Sequence, residues 1–159
     1  MLMTKNATIS FHSHTFLENI DAVNNSVMAV IDGTKKNIAF SLFMKQFDFP
    51  KKLMQTHFNE NYVESDKFPK ATFSGVITSP SAVNFSKDGT YNVTVEGDLT
   101  IKGRTQKVKA PATIVVAGKT LKTNASFNIK LADIGVEGQP ITAGKVSAEP
   151  KISVSAELN

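Results

Sequence analysis

Apolar and polar side chains alternate with a period of two along much of this chain, most clearly in its C-terminal half. From Val93 to Ile101 the odd positions read Val93, Val95, Gly97, Leu99 and Ile101, with Thr94, Glu96, Asp98 and Thr100 between them. Leu121, Thr123, Ala125, Phe127, Ile129 and Leu131 alternate with Lys122, Asn124, Ser126, Asn128 and Lys130. Ile152, Val154, Ala156 and Leu158 alternate with Ser153, Ser155 and Glu157. Successive side chains of a strand point to opposite faces, so each run has one dry face and one wet face. That describes antiparallel strands with solvent on one side.

Turn chemistry separates the runs. Lys87-Asp88-Gly89-Thr90 precedes the first run and Lys102-Gly103-Arg104 follows it. Val108, Ala110, Ala112, Ile114 and Val116 make the next dry face, and Ala117-Gly118-Lys119 closes it. Glycine in such short connections supplies the positive φ of a tight hairpin. Pro111 falls at an outward position and suggests an edge, a bulge or a splayed corner.

The N-terminal half is noisier. Ile9 and Phe11 alternate with polar residues, Val27 to Ile31 is apolar throughout, and Asp32-Gly33 marks a turn. Ile38, Phe40 and Leu42 then recur at spacing two, as do Ala71, Phe73, Gly75 and Ile77. Between them, Leu53, Met54, His57 and Phe58 follow helical spacing, which predicts a helix within Lys51 to Tyr62, started by Asp48 or Pro50. The sum is about eight or more short strands and one helix. A sandwich and a barrel both suit that pattern, and a barrel of about eight strands holds at most one small ligand. Many inward positions are small (Gly75, Gly97, Ala110, Ala112, Ala125, Ala156). They either leave a cavity or receive large side chains from the opposite wall.

Composition narrows the function more than the fold. A chain of 159 residues is one domain, here 1–159. There is no Trp, two Tyr and eleven Phe, so the aromatic surface is almost wholly apolar and suits a dry interior. The net charge of +4 is a small excess. Its densest stretch, Lys102, Arg104, Lys107 and Lys109, has no interleaved aromatic residue to stack on bases, so it reads as a solvated hairpin face and not as a nucleic-acid site. Absence of Cys excludes a disulfide framework, a thiolate nucleophile and a Cys-bound metal. No apolar run approaches the ~18 residues of a membrane span. The first residues show no charged segment followed by an apolar one, so no signal peptide is expected in them.

The chemical candidates are weak. His12 and His14 share a strand face, and with His57 or Glu60 they offer metal ligands, but no carboxylate follows at a ligand spacing. They read as an ordinary polar face with no metal. Gly138 to Lys145 resembles a phosphate loop but puts five residues between its glycines and Val146 in place of the magnesium-holding hydroxyl. Glu96 and Asp98 lie on a wet face, where neither is poised as a general acid. An enzymatic site would need an inward acid, His or Tyr, and only Tyr62 and Tyr91 qualify. The expectation is a protein that is not an enzyme and needs no cofactor.

The Phe and Met cluster is the better candidate. Phe40, Leu42, Phe43, Met44, Phe47 and Phe49 precede the helix, which adds Leu53, Met54 and Phe58. Such side chains are adaptable lining for an apolar pocket, although composition alone favours a packed core. Phe43 and Met44 cannot both point inward on a regular strand.

Three stretches stand out: Met54 to Phe73, with its Thr56-His57-Phe58 and Phe68-Pro69-Lys70-Ala71-Thr72-Phe73; Tyr91 to Val108, with Gly97-Asp98-Leu99-Thr100-Ile101 and the basic hairpin; and Phe127 to Gly135, a strand leading into Asp133-Ile134-Gly135-Val136. Together they resemble the YceI-like family of lipocalin-like, polyisoprenoid-binding barrels. They come in the family's order and the resemblance covers most of the chain from about Ile9. It implies an antiparallel barrel of about eight strands with one short helix near an end. It also implies an apolar tunnel for a long isoprenoid or related lipid, and a periplasmic or secreted location. The departure is at the start, where no leader is expected in the first residues and the family's N-terminal segment reads as short or missing. On this reading the ligand-binding residues are Phe40, Leu42, Phe43, Phe47, Phe49, Leu53, Met54, Phe58, Phe73, Val95, Leu99 and Phe127. The partner is an apolar small molecule such as an isoprenoid or fatty-acid-like lipid, and a homodimer is compatible with the sequence. The alternative is a stress or interaction protein whose barrel is fully packed.

Overall fold

The structure, a computed structural model, describes residues 2–14, 19–62, 64–78, 83–134 and 149–159. Eight strands, β1 Leu2–His14, β2 Asn19–Asp32, β3 Asn37–Phe43, β4 Lys70–Ile77, β5 Gly89–Ile101, β6 Arg104–Ala117, β7 Thr120–Asn128 and β8 Lys151–Leu158, close into one barrel in chain order. Every neighbouring pair is antiparallel, and β8 returns to β1 with Ile9 opposite Val154 and Phe11 opposite Ile152. The barrel, not the sandwich, is therefore the closure. In β5 to β8 the dry positions of the sequence all face inward.

The noise of the N-terminal half comes from bulges. In β2 the buried positions are Ile20, Ala22 and Asn24, then Val27, Ala29 and Ile31, so the parity changes between Asn24 and Val27. The β1–β2 register shifts at the facing point, between Thr4 and Ile9. An extra residue flips every later side chain to the other face. Asn24 is fully buried at this bulge. Its Oδ1 accepts from the Ser26 N–H (2.9 Å) and its Nδ2 donates to the Phe43 carbonyl (3.1 Å), which satisfies both ends of a polar group that is costly to bury unpaired.

The β5–β6 hairpin turns on Lys102 and Gly103, with φ of 54° and 71°, the pattern of a type I′ turn. Along its outer face, Lys107 lies 2.8 Å from Asp98 and Lys109 lies 3.5 Å from Glu96. The hydrogen bond to Asp98 holds the Lys107 ammonium above its ordinary pKa. Two of the four basic residues thus form cross-strand pairs, each contributing little because it is exposed. Pro111 pairs with Thr94 on one side, while on the other the ladder to β7 stops at Ala112. The missing N–H sits where the two strands splay apart.

The helix is shorter than the sequence suggests. An α-helix α1, Lys52–His57, runs into a π-helical turn, Phe58–Tyr62. Neither Asp48 nor Pro50 caps it: Lys51 occupies the cap position with no side-chain bond. Asp48 instead exchanges two backbone hydrogen bonds with Val23 (3.0 and 2.8 Å), anchoring the approach to the helix on the part of β2 that β3 has left. The phosphate-loop-like Gly138 to Lys145 lies outside the described residues, as does the end of the third family-like stretch.

The two halves of the barrel differ. At the end bearing the β2–β3 and β6–β7 turns, Ile31, Ile114, Leu121 and Leu158 are at most 1% exposed and fill the space between the walls. At the opposite end, where α1 lies, the interior is hollow.

Candidate ligand chamber

The hollow end is a chamber of about 130 Å³. Each strand contributes its inward row. Ile9 and Phe11 come from β1, Phe40 and Leu42 from β3, Phe73 from β4, Val95, Leu99 and Ile101 from β5, Val108, Ala110 and Ala112 from β6, and Ala125 and Phe127 from β7. Across β3 and β4, Phe40 stands opposite Phe73, their ring centres 6.3 Å apart. Thr123 is the one polar side chain among the described lining residues. Such a wall offers burial and shape, with almost no hydrogen bonding to orient a guest.

The connection between β3 and β4 closes the mouth. Phe58, at the end of α1, inserts its ring between Phe11, Phe47 and Phe49, at centre distances of 6.1, 6.0 and 4.9 Å. These tilted contacts suit the ring quadrupoles. Met54, one turn earlier, also faces the chamber. Three lysines around this rim are matched by acids. Lys52 meets Asp48 at 2.7 Å, Lys102 meets Glu64 at 3.5 Å, and Lys45 pairs with Asp66. Paired in this way, they give the mouth little pull on an anionic head group.

Ten of the twelve sequence candidates line the chamber: Phe40, Leu42, Phe47, Phe49, Met54, Phe58, Phe73, Val95, Leu99 and Phe127. Two do not. Phe43 points outward, 47% exposed, beneath the Lys70 ammonium at 5.1 Å, because Met44 takes the inward place. Leu53 is 71% exposed, since a helix of six residues buries one i, i+4 row, and that row is Met54 and Phe58. Met44, weighed against Phe43 in the sequence, is the one of the two that lines the chamber, and Ile129, Leu131 and the small residues Ala110, Ala112 and Ala125 line it without having been singled out as ligand-binding. Strand parity marked the alanines as inward but carried no information about the empty space above them. Tyr91 lies away from the chamber, its hydroxyl donating to the Lys87 carbonyl (2.8 Å), and the Tyr62 side chain is outside the described residues. No acid, His or Tyr is among the described lining residues.

Replacing the plug tests this geometry. Phe58→Ala is expected to cost about 3 kcal/mol, the lower end for a buried Phe, because the chamber beside it is already hollow. It should also speed entry and exit of a fluorescent fatty acid, read by stopped flow. Unchanged rates would show that guests do not pass Phe58.

A closed eight-stranded barrel, packed at one end and hollow and dry at the other, is of the lipocalin-like class. Comparison of the sequence with family models goes further: residues 1–158 match the YceI-like domain, and the chain belongs to that family. Among solved structures it is similar to a polyisoprenoid-binding domain from Saccharophagus degradans, with a TM-score of 0.80 at 10% identity over 99% of this chain and 97% of that one. It is also similar to BcnA of Burkholderia cenocepacia, with a TM-score of 0.76 at 23% identity over 95% of each chain. The YceI protein of Campylobacter jejuni superposes with a TM-score of 0.69 at 18% identity, over 91% of this chain and 86% of that one. A search of curated proteins gives no match.

Proposed function

We propose that this protein binds a slender apolar chain, a polyisoprenoid or a related lipid, inside the hollow end of its barrel, and carries or sequesters it. The observation that carries this reading is the chamber wall, apolar except for Thr123. The name of the Saccharophagus domain and membership of a family of binding proteins support the same cargo class. Each methylene taken from water contributes about 0.8 kcal/mol, so a few isoprene units suffice for tight binding without polar contacts. The chamber of about 130 Å³ has room for a short segment of such a chain. A longer chain would move Met54 and Phe58 aside or trail through the mouth. As part of the same proposal, the protein acts outside the cytoplasm and performs no chemistry on the cargo.

Native mass spectrometry of the purified protein, followed by solvent extraction, tests the proposal and reads the oligomeric state in the same spectrum. A stoichiometric lipid is the expected result. A protein that is bare and stays bare when offered isoprenoids and fatty acids would leave an interaction protein, acting through its outer face, as the better account.

A further inference from the structure

The outer wall beside the mouth carries a second cluster, independent of the interior. His12 and His14 are two residues apart on β1, so both side chains leave the same face. The β1–β2 register puts Asp21 directly opposite His12. Both rings turn to this one carboxylate: Nδ1 of His12 and Nε2 of His14 each lie 2.7 Å from Asp21 Oδ1. The rings stand edge to face with centres 5.9 Å apart, and the three ligand atoms lie within 4.8 Å of one another.

We infer that His12, His14 and Asp21 form a binding site for a divalent transition-metal ion, zinc above all. The donor set of two neutral imidazole nitrogens and one carboxylate oxygen, without a thiolate, suits zinc, copper(II) and nickel(II), and disfavours calcium and magnesium, which prefer all-oxygen shells. Bonds of ~2.0–2.2 Å to a tetrahedral zinc place ligand atoms roughly 3.3–3.5 Å apart. Two of the three separations, at 2.7 Å, are shorter than that spacing and the third is at most 4.8 Å, so an ion asks only for small shifts of these exposed side chains. His12, Asp21 and His14 are 31%, 48% and 55% exposed, so an ion has an open approach and water completes its shell. On binding, each ring keeps one N–H by shifting its proton to the nitrogen that faces away from the ion. The competing cation is Lys151, exposed on β8 opposite His12.

The sequence concealed this site. The carboxylate stands nine and seven residues from the two histidines, on the partner strand of a hairpin, and not at a local ligand spacing. His57 and Glu60, the partners that sequence suggests, sit in α1 and the π-helical turn that follows it. The ion would clasp the ends of β1 and β2 at the rim, on the strand that also sends Phe11 into the chamber.

The test is calorimetric titration of zinc chloride into the untagged protein. One saturable zinc per chain is expected. Asp21→Asn and His14→Gln should each weaken it by at least about tenfold, and His57→Gln should leave it unchanged. Both weakened variants must keep the circular dichroism spectrum of the parent, which they are expected to do because the positions are on the surface. Copper(II) bound at the same site should show two nitrogen ligands by electron paramagnetic resonance. Absence of saturable zinc binding, binding indifferent to Asp21→Asn and His14→Gln, loss of binding in His57→Gln, or an all-oxygen copper spectrum would each overturn the assignment and leave two imidazoles hydrogen-bonded to a surface carboxylate.

Discussion

Ala112→Phe is expected to give a folded barrel that binds an apolar chain about a hundredfold more weakly. Ala112 is an inward residue of β6 whose cross-strand neighbours, Val93 on β5 and Ala125 on β7, are both smaller than the ring it would receive. All of the added ring would enter the chamber of about 130 Å³. Overpacking a filled core costs about 1–3 kcal/mol. Filling a void adds contacts instead, so the stability should stay within about 1 kcal/mol of the parent. The guest loses the space of about four methylenes, on the order of 3 kcal/mol or a hundredfold in affinity. Displacement of a fluorescent fatty acid reads the binding and urea unfolding reads the fold. A variant that binds as tightly as the parent would place the guest elsewhere on the protein.

Gly97→Ala is expected to destabilise the barrel severely. Gly97 on β5 faces Gly75 on β4. A methyl group at Gly97 would lie 2.3 Å from the Ser74 carbonyl oxygen and 2.5 Å from Gly75 Cα. Those are backbone atoms of the neighbouring strand, which cannot yield without opening the β4–β5 ladder. We expect a loss of about 3 kcal/mol or more, at the upper end for overpacking. At Gly75 the conflict is with the Phe73 ring at 2.7 Å and the Glu96 carbonyl at 2.8 Å. There Ala would also push a lining ring into the chamber, so Gly75→Ala should reduce binding together with stability. Urea unfolding of Gly97→Ala within about 0.5 kcal/mol of the parent would show that the strands do not approach so closely.

These two positions show what sequence does and does not reveal here. Parity identified Ala112 and Gly97 as inward, because β5 to β8 keep an unbroken period of two. The choice between a packed and a hollow interior was not in that pattern, since an alanine facing a void and an alanine receiving a large neighbour have the same periodicity. In β1 and β2 the pattern failed for a definite reason: the bulges at Asn24 and before Ile9 change the parity mid-strand. Phe43 was misplaced because the chain leaves the strand at that point, entering a 3-10 turn at Met44–Gln46 that carries Met44 inward. Leu53 was misplaced because helical spacing reports two candidate faces, and only packing selects one of them. The three sequence stretches that resembled the YceI-like family supplied what periodicity lacked, the closure into a barrel.

The dryness of the chamber wall has a consequence for how a guest rests inside it. With Thr123 as the only polar side chain among the described lining residues, nothing fixes the guest at one depth. A hydrocarbon chain can slide by one bond and turn about its own axis at little cost, since each position exchanges equivalent dispersion contacts. It would therefore retain mobility that a hydrogen-bonded ligand surrenders. Its density in a crystal would be a continuous, featureless rod, and its carbon resonances would be averaged over several depths. Discrimination would then rest on girth and length, so linear and gently branched chains would compete with one another while fused ring systems would be turned away at Phe58.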